Sequence, residues 1–371
     1  MYLFLTFCTI CSFFYFGHVA KKCNTKQYFY YSIIPLCLYS VTYGFRKGWG
    51  EDYDVYDDLF LGNSFHSIDN YELLFKYLVL LLRDVSQSSI PLFVFVAAIT
   101  LFSVIYLLKD FRDNIGLSLS LFYFFTAYQS SNIVRFFIAI SLVYISLSFA
   151  LKKKWKFSLI LCLLAVFVHV GILIYIILQF LLLKTEFFLN LKRNFLLYIL
   201  CSSVPILAMC TNYISKLIYV ILSYVNIDGL QIVKYVNEDV IESYILGANW
   251  ESTMSLFYMV FNYVYEILFI YLGFLLIKKK TNIPLMKFFY QTGVFGILFL
   301  NVVSDTEILY RIAIVFIYLS SILSAYIIKY GLKIKADNIL YILFILSVLY
   351  KSYSSVRNII GEYNALYIWN Q

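Results

Sequence analysis

Apolar stretches of 15 to 25 residues recur along the whole 371-residue chain, separated by short polar segments. They fall at about 1–17, 28–43, 89–108, 115–130, 132–151, 157–183, 195–211, 255–277, 287–303, 311–328 and 339–353. Most are long enough to cross ~30 Å of hydrocarbon as a helix. In lipid only helices and closed barrels satisfy the backbone, and these runs lack the alternation of barrel strands. The pattern predicts an all-α polytopic integral membrane protein of about 11–12 transmembrane helices. It is expected to form a single membrane domain over 1–371, with outer loops at about 44–88 and 212–254. Met1 to Phe16 has no basic n-region and no small-residue cleavage site, so it reads as a retained first helix.

Two stretches depart from the simple crossing. Residues 70–86 are apolar but carry Glu72, Lys76, Arg83 and Asp84, which fits a helix lying in the outer interface, and 213–225 has a similar character. The run 157–183 is 27 residues long. If it crosses once, the basic loop at 184–193 falls outside, against the positive-inside rule. A break near His169 repairs the parity and leaves two pieces of about 13 residues, each ~20 Å long. A non-helical break at membrane depth is tolerated only inside protein or beside a wet cavity. His169 is therefore expected at the floor of an outward-facing cavity.

Composition agrees with the pattern: 62% of residues are hydrophobic, 13% are charged and the mean hydropathy is +0.82. A soluble domain is roughly 25% charged. The net charge of +8 comes from lysine clusters between apolar runs, so it indicates membrane orientation and no nucleic-acid partner. The basic residues separate by type. About 17 of the 22 lysines fall in the loops assigned to the cytoplasm, whereas Arg46, Arg83, Arg135, Arg311 and Arg357 map to the opposite side. Twelve of the 21 acids lie on that side too, in 44–72 and 223–252. Orientation needs only positive charge, while arginine adds a planar fork that binds phosphate through two bonds. Arginines gathered on one side point to an anionic, phosphate-bearing substrate.

The first outer loop joins Arg46, Gly50, Asp52, Tyr53 and Tyr56, a set suited to a sugar phosphate. Aromatic faces stack on sugar, acids accept from hydroxyls, and arginine holds phosphate. Arg135 opens a helix at membrane depth, where a charge is costly and by default functional. Asp305, Glu307 and Arg311 form another polar group at an outer helix end. Glu266 lies mid-helix, one turn after Asn262, and suits either a packing group or a proton relay. Cys8 and Cys11 form a lone C-x-x-C that reads as packing, and the three scattered histidines give no metal signature. No cofactor motif is present.

Taken in order, these landmarks resemble the EpsG family of exopolysaccharide polymerases, Wzy-like membrane glycosyltransferases. The pattern R-x-x-x-G-x-D-Y-x-x-Y is met by Arg46, Gly50, Asp52, Tyr53 and Tyr56, and Glu72 follows at the usual distance. S-x-x-x-R-Q-x-x-A is met by Ser131, Arg135 and Ala139, with Phe136 where glutamine is usual. F-x-H-x-S is met by Phe167 and His169, with Gly171 in place of serine, and Arg311 opens a late helix. The resemblance implies a polymerase of the bacterial cytoplasmic (inner) membrane acting at its outer face. It would transfer a growing glycan from undecaprenyl diphosphate to the next lipid-linked repeat unit. Its partners would be the undecaprenyl-diphosphate-linked oligosaccharide, membrane lipid and a chain-length regulator. Arg46, Gly50, Tyr56, Arg135 and Arg311 are the expected diphosphate and sugar ligands; Asp52, Glu72 and His169 are the expected catalytic groups, with Asp52 favoured as base. A flippase for lipid-linked saccharide and an O-antigen-ligase-type transferase are the alternatives, the first disfavoured by the absence of two similar halves.

Overall fold

A computed structural model describes residues 1–50, 52–62, 68–208, 256–279, 284–303, 307–334 and 337–363. These residues form an all-helical protein: fourteen α-helices among them and no strand. In chain order they are α1 (Tyr2–Ala20), α2 (Thr25–Gly44), α3 (Tyr53–Leu61), α4 (Leu73–Val85), α5 (Ile90–Leu108), α6 (Ile115–Asn132), α7 (Val134–Leu151), α8 (Trp155–Val168), α9 (Ile172–Lys184), α10 (Leu191–Ala208), α11 (Leu256–Lys279), α12 (Pro284–Val303), α13 (Glu307–Tyr330) and α14 (Asn338–Tyr363). Every expected apolar run carries a helix.

Seven described helices are both long and apolar enough to cross a membrane: α1, α5, α7 and α11 to α14. α2, α6 and α10 match them in length, at 18 to 20 residues, but carry more polar side chains. The expected run 157–183 is indeed interrupted: α8 ends at Val168 and α9 begins at Ile172. At His169 the backbone is extended, with φ −157° and ψ 111°. The interruption is closed by turn bonds, Ile172 N to His169 O at 3.2 Å and Leu173 N to Val170 O at 3.1 Å. Fourteen and thirteen residues give pieces ~20 Å long.

The chain divides into two compact units. The first comprises residues 1–176 with 352–371, and the second comprises residues 177–351. In the first unit α1 lies against α2 and α6, α5 against α2 and α7, and α8 against α7 and α4. Buried hydroxyls join these apolar helices: Thr6 to Tyr123 at 2.7 Å, Thr9 to Thr42 at 3.0 Å, and Ser146 to Ser158 at 2.8 Å. In a membrane, where apolar burial gives helices little reason to prefer protein to lipid, small polar contacts of this kind help select the partner.

The stretch expected to lie in the interface becomes α4, thirteen residues with Phe75 and Val79 buried and Leu73, Tyr77, Leu81 and Val85 exposed in a stripe. It is held to α3 by Arg83, whose guanidinium donates to the carbonyls of Leu59 and Phe60 in the last turn of α3. A cation at a helix C-terminus satisfies carbonyls that have no intrahelical partner. Arg83 is thus occupied as a brace. The second expected interfacial stretch, 213–225, lies outside the described residues, as do the outer loop 212–254, Glu51, His66 and Asp305.

In the second unit α12 packs on α13, α10 and α11. Its interior holds Glu266, 6% exposed, whose Oε2 accepts from the Tyr198 hydroxyl at 3.0 Å and from Asn301 Nδ2 at 3.1 Å. The Tyr265 hydroxyl meets Ser320 and Ser324 at 2.8 and 3.1 Å, and Lys351 Nζ lies 4.7 Å from the Tyr265 ring centre.

Candidate functional site

Three backbone interruptions of the first unit bring their side chains together. The first is the entry to α4, where Glu72 has an extended backbone and occupies the capping position. Its carboxylate does not cap its own helix; it reaches across to α7 and to the break after α8. The second is Ile133, a single non-helical residue between α6 and α7, which leaves Arg135 in the first turn of α7. The third is His169 to Gly171.

Glu72 is the centre of the cluster. Its Oε2 accepts from Arg135 Nη1 at 2.7 Å. Its Oε1 accepts from the Val170 backbone N–H at 3.3 Å and lies 3.3 Å from His169 Nδ1. The side chains of Glu72, Arg135 and His169 are 15%, 16% and 27% exposed, so the cluster is sheltered but open on one side. Burial raises the Glu72 carboxyl pKa, but the His169 contact and the Arg135 charge outweigh it and hold the pKa at about 2. Glu72 is therefore held as a carboxylate by its cationic neighbours. A carboxylate facing Nδ1 favours the imidazole proton on that side and the basic lone pair on Nε2. The His169 ring is also met edge-on by Phe136, at 5.5 Å between centres and 89° between planes.

Arg135 is held on several sides. Its Nε donates to the Tyr56 hydroxyl at 3.2 Å, and its guanidinium carbon lies 4.5 Å from the Tyr71 ring and 5.9 Å from that of Phe75. Burial pushes the Tyr56 phenol up, so it stays a neutral acceptor beside the guanidinium. Tyr56 and Glu72 use two of the five N–H donors an arginine offers. The amino-terminal end of α7 adds its own positive potential at the same place. The arrangement can bind an anion and orient an imidazole beside it.

The first loop supports this centre from behind. Arg46 is only 3% exposed; its Nη2 donates to the Ser131 carbonyl at 3.2 Å and its guanidinium stacks 4.6 Å from the Phe93 ring. Gly50 has φ +99°, and a Cβ there would run into the Ser131 carbonyl and the Asn132 side chain. Only glycine tolerates both conditions. Asp52 stands just before α3, with its carbonyl accepting from the Tyr56 N–H at 3.1 Å. Arg46 and Gly50 thereby fasten the loop to the end of α6, and Tyr53, stacked on Phe93 at 4.8 Å, starts α3 in place. That positions Tyr56.

Of the residues expected from sequence, Tyr56, Glu72, Arg135 and His169 meet in one cluster, and Arg46, Gly50 and Asp52 border it through Ser131 and Tyr56. Arg311 belongs to the second unit, in the first turns of α13. Sequence reasoning missed the Tyr71 and Phe75 rings, the Phe93 platform and the Val170 N–H. Tyr71 adjoins Glu72 and could have been suspected, but no local signal marks Phe93 or a backbone amide. Among the described residues no group of three His, Cys, Asp or Glu side chains is arranged to hold a metal ion.

Among the described residues, the membrane-length apolar helices define a multi-pass membrane protein that also carries a sheltered arginine–carboxylate–imidazole cluster. The chain belongs to the EpsG family, whose model matches residues 29–367, nearly its whole length. That places it among glycosyltransferase-like exopolysaccharide polymerases. No curated protein and no solved structure was found to match it.

Proposed function

We propose that this protein polymerises a polysaccharide at the outer face of the cytoplasmic membrane, moving the growing glycan from undecaprenyl diphosphate to a sugar hydroxyl of the next lipid-linked repeat unit. The observation that carries this reading is the Arg135–Glu72–His169 cluster, where an anion-binding guanidinium and an oriented imidazole stand on the same carboxylate. The bond from the anomeric carbon to the diphosphate oxygen breaks, and the diphosphate leaves with the electron pair. The acceptor hydroxyl oxygen forms the new glycosidic bond, and its proton passes to His169 Nε2. Arg135 neutralises the charge that develops on the leaving oxygen. Glu72 holds the imidazole and the guanidinium in register, and Tyr56, Tyr71 and Phe75 keep the guanidinium from swinging away.

The base in this scheme is His169 in preference to Asp52. Asp52 sits at the edge of the cluster, whereas His169 shares the carboxylate that holds the phosphate ligand. Arg46 acts through Ser131 as a brace of the loop. The outward direction rests on the lysine-rich loops, which belong inside by the positive-inside rule and leave the cluster on the other face.

The test uses a lipid-linked repeat unit carrying a radiolabelled sugar, supplied to the full-length protein in proteoliposomes. Lengthening of the labelled glycan supports the reading. Transbilayer movement of the label without lengthening, or its transfer to a different lipid core, overturns it.

A further inference from the structure

We propose that Gly171 and Phe136 are positioning residues for the His169 imidazole, with Gly171 present for clearance and not for backbone freedom. The proposal rests on His169 serving as the base. Gly171 closes the break between α8 and α9, a place where glycine is commonly required for an unusual backbone. Here it is not: among the described residues the glycines with left-handed φ are Gly48, Gly50 and Gly62, and Gly171 is not one of them. Alanine or serine could adopt its backbone without strain.

What a side chain at 171 would meet is one ring. A Cβ there would lie 3.0 Å from His169 Nε2, 3.5 Å from Cδ2 and 3.8 Å from Cε1, and these are its three nearest neighbours. The first distance is tighter than ordinary packing, so the imidazole would have to yield by a few tenths of an ångström. The ring has little room to do so usefully. Its Nδ1 lies 3.3 Å from Glu72 Oε1 on the far side of the ring from Nε2, so a displacement of that size changes the distance and angle of that contact. Phe136, itself 6% exposed, stands edge-on against the ring and follows Arg135 directly in α7. The imidazole is therefore referenced to the same helical turn as the guanidinium.

The full-length protein holds three histidines, which makes the ring directly observable. Protein labelled with 15N-histidine is reconstituted in lipid nanodiscs, and the His169 pair of ring signals is identified by its loss in His169→Gln. In Gly171→Ala the His169 signals are expected to move while those of His18 and His66 stay, which also reports an intact fold. In the lengthening assay Gly171→Ala is expected to lose about tenfold in rate, since displacements near 1 Å cost ~10²-fold. Phe136→Leu is expected to shift the same signals, and the double variant to lose less than the product of the two single losses, because both act through one ring. Unmoved His169 signals in Gly171→Ala would overturn the clearance role. Moved signals with an unchanged rate of lengthening would instead overturn His169 as the base, and strictly multiplicative losses would overturn the shared route through the ring.

Discussion

Two carboxylates stand among apolar helices in this protein, and they are treated in opposite ways. Glu266 in the second unit lies mid-helix, accepts from Tyr198 and Asn301, and is 6% exposed. Glu72 in the first unit stands at a helix entry, 15% exposed, and its partners are a guanidinium, an imidazole and a backbone amide from two other interruptions. The hydrogen bonds to Glu266 come from neutral donors, with the Lys351 cation as an electrostatic partner besides, an arrangement by which a buried polar group avoids a desolvation cost. The partners of Glu72 keep functional groups of their own: unused guanidinium donors and a basic ring nitrogen. A polar group that ends its network specifies packing, whereas one that organises other reactive groups prepares chemistry.

Substitutions separate the two regions, taken here from the largest expected effect to the smallest. Arg135→Ala should reduce lengthening of a labelled lipid-linked glycan by ~10³-fold or more, since it removes the charge that stabilises the leaving group. Arg135→Lys should recover little of this, because an ammonium cannot meet Tyr56, Glu72 and phosphate together. His169→Gln should cost ~10²–10⁴-fold, the usual range for a general base. If it were as active as wild type, the base would have to be sought at Asp52.

Glu72→Gln should cost less, about 10²-fold, and it carries a pH signature. The Glu72 pKa is depressed to about 2 in the folded protein. Its contribution to stability is therefore fully present above the ordinary carboxylate range and is lost only as pH falls through that range toward 2. Between pH 5 and 8 Glu72 stays ionised, so an acid limb of the rate profile in that window cannot be its titration and should vanish or shift in His169 variants. An acid limb that survives His169→Gln unaltered would break this assignment.

The smallest effect on chemistry is expected at the other carboxylate. Glu266→Ala should leave the rate per folded molecule within about twofold of wild type. It should lower the thermal unfolding midpoint, because Tyr198 and Asn301 lose their acceptor at a cost of about 1–3 kcal/mol. A large rate loss at unchanged stability would erase the contrast and make Glu266 part of a proton path.

Much of the architecture was legible because membrane solvation imposes a local rule. Each apolar run had to become a helix, and α1, α5, α7 and α11 to α14 appear where the runs were. Charge parity even located the interruption at His169, a nonlocal inference made possible by the bias of lysines to one side. The candidate site was legible as a set of residues, since Glu72, Arg135 and His169 are polar at places where polarity is expensive. Their division of labour was not legible. Glu72, read as one of three candidate bases behind the favoured Asp52, stands between a guanidinium and an imidazole, and no spacing of 63 or 97 residues along the chain encodes such a meeting. Arg83, read with the substrate-facing arginines, is used up on the carbonyls of Leu59 and Phe60. Asn262, one turn from Glu266 in sequence, proved less informative than Asn301 on α12.

The amino-acid sequence alone determined the helical membrane class, the position of nearly every helix, the break at His169 and the residue types available for chemistry. Those follow from short-range rules: hydrocarbon demands internally bonded backbone, and charge is costly within it. Tertiary structure decided which polar groups meet, which are spent on packing, and that Phe136 and Gly171 converge on one imidazole. Such contacts depend on how helix ends from distant parts of the chain are brought together, and local patterning does not specify the geometry of that meeting.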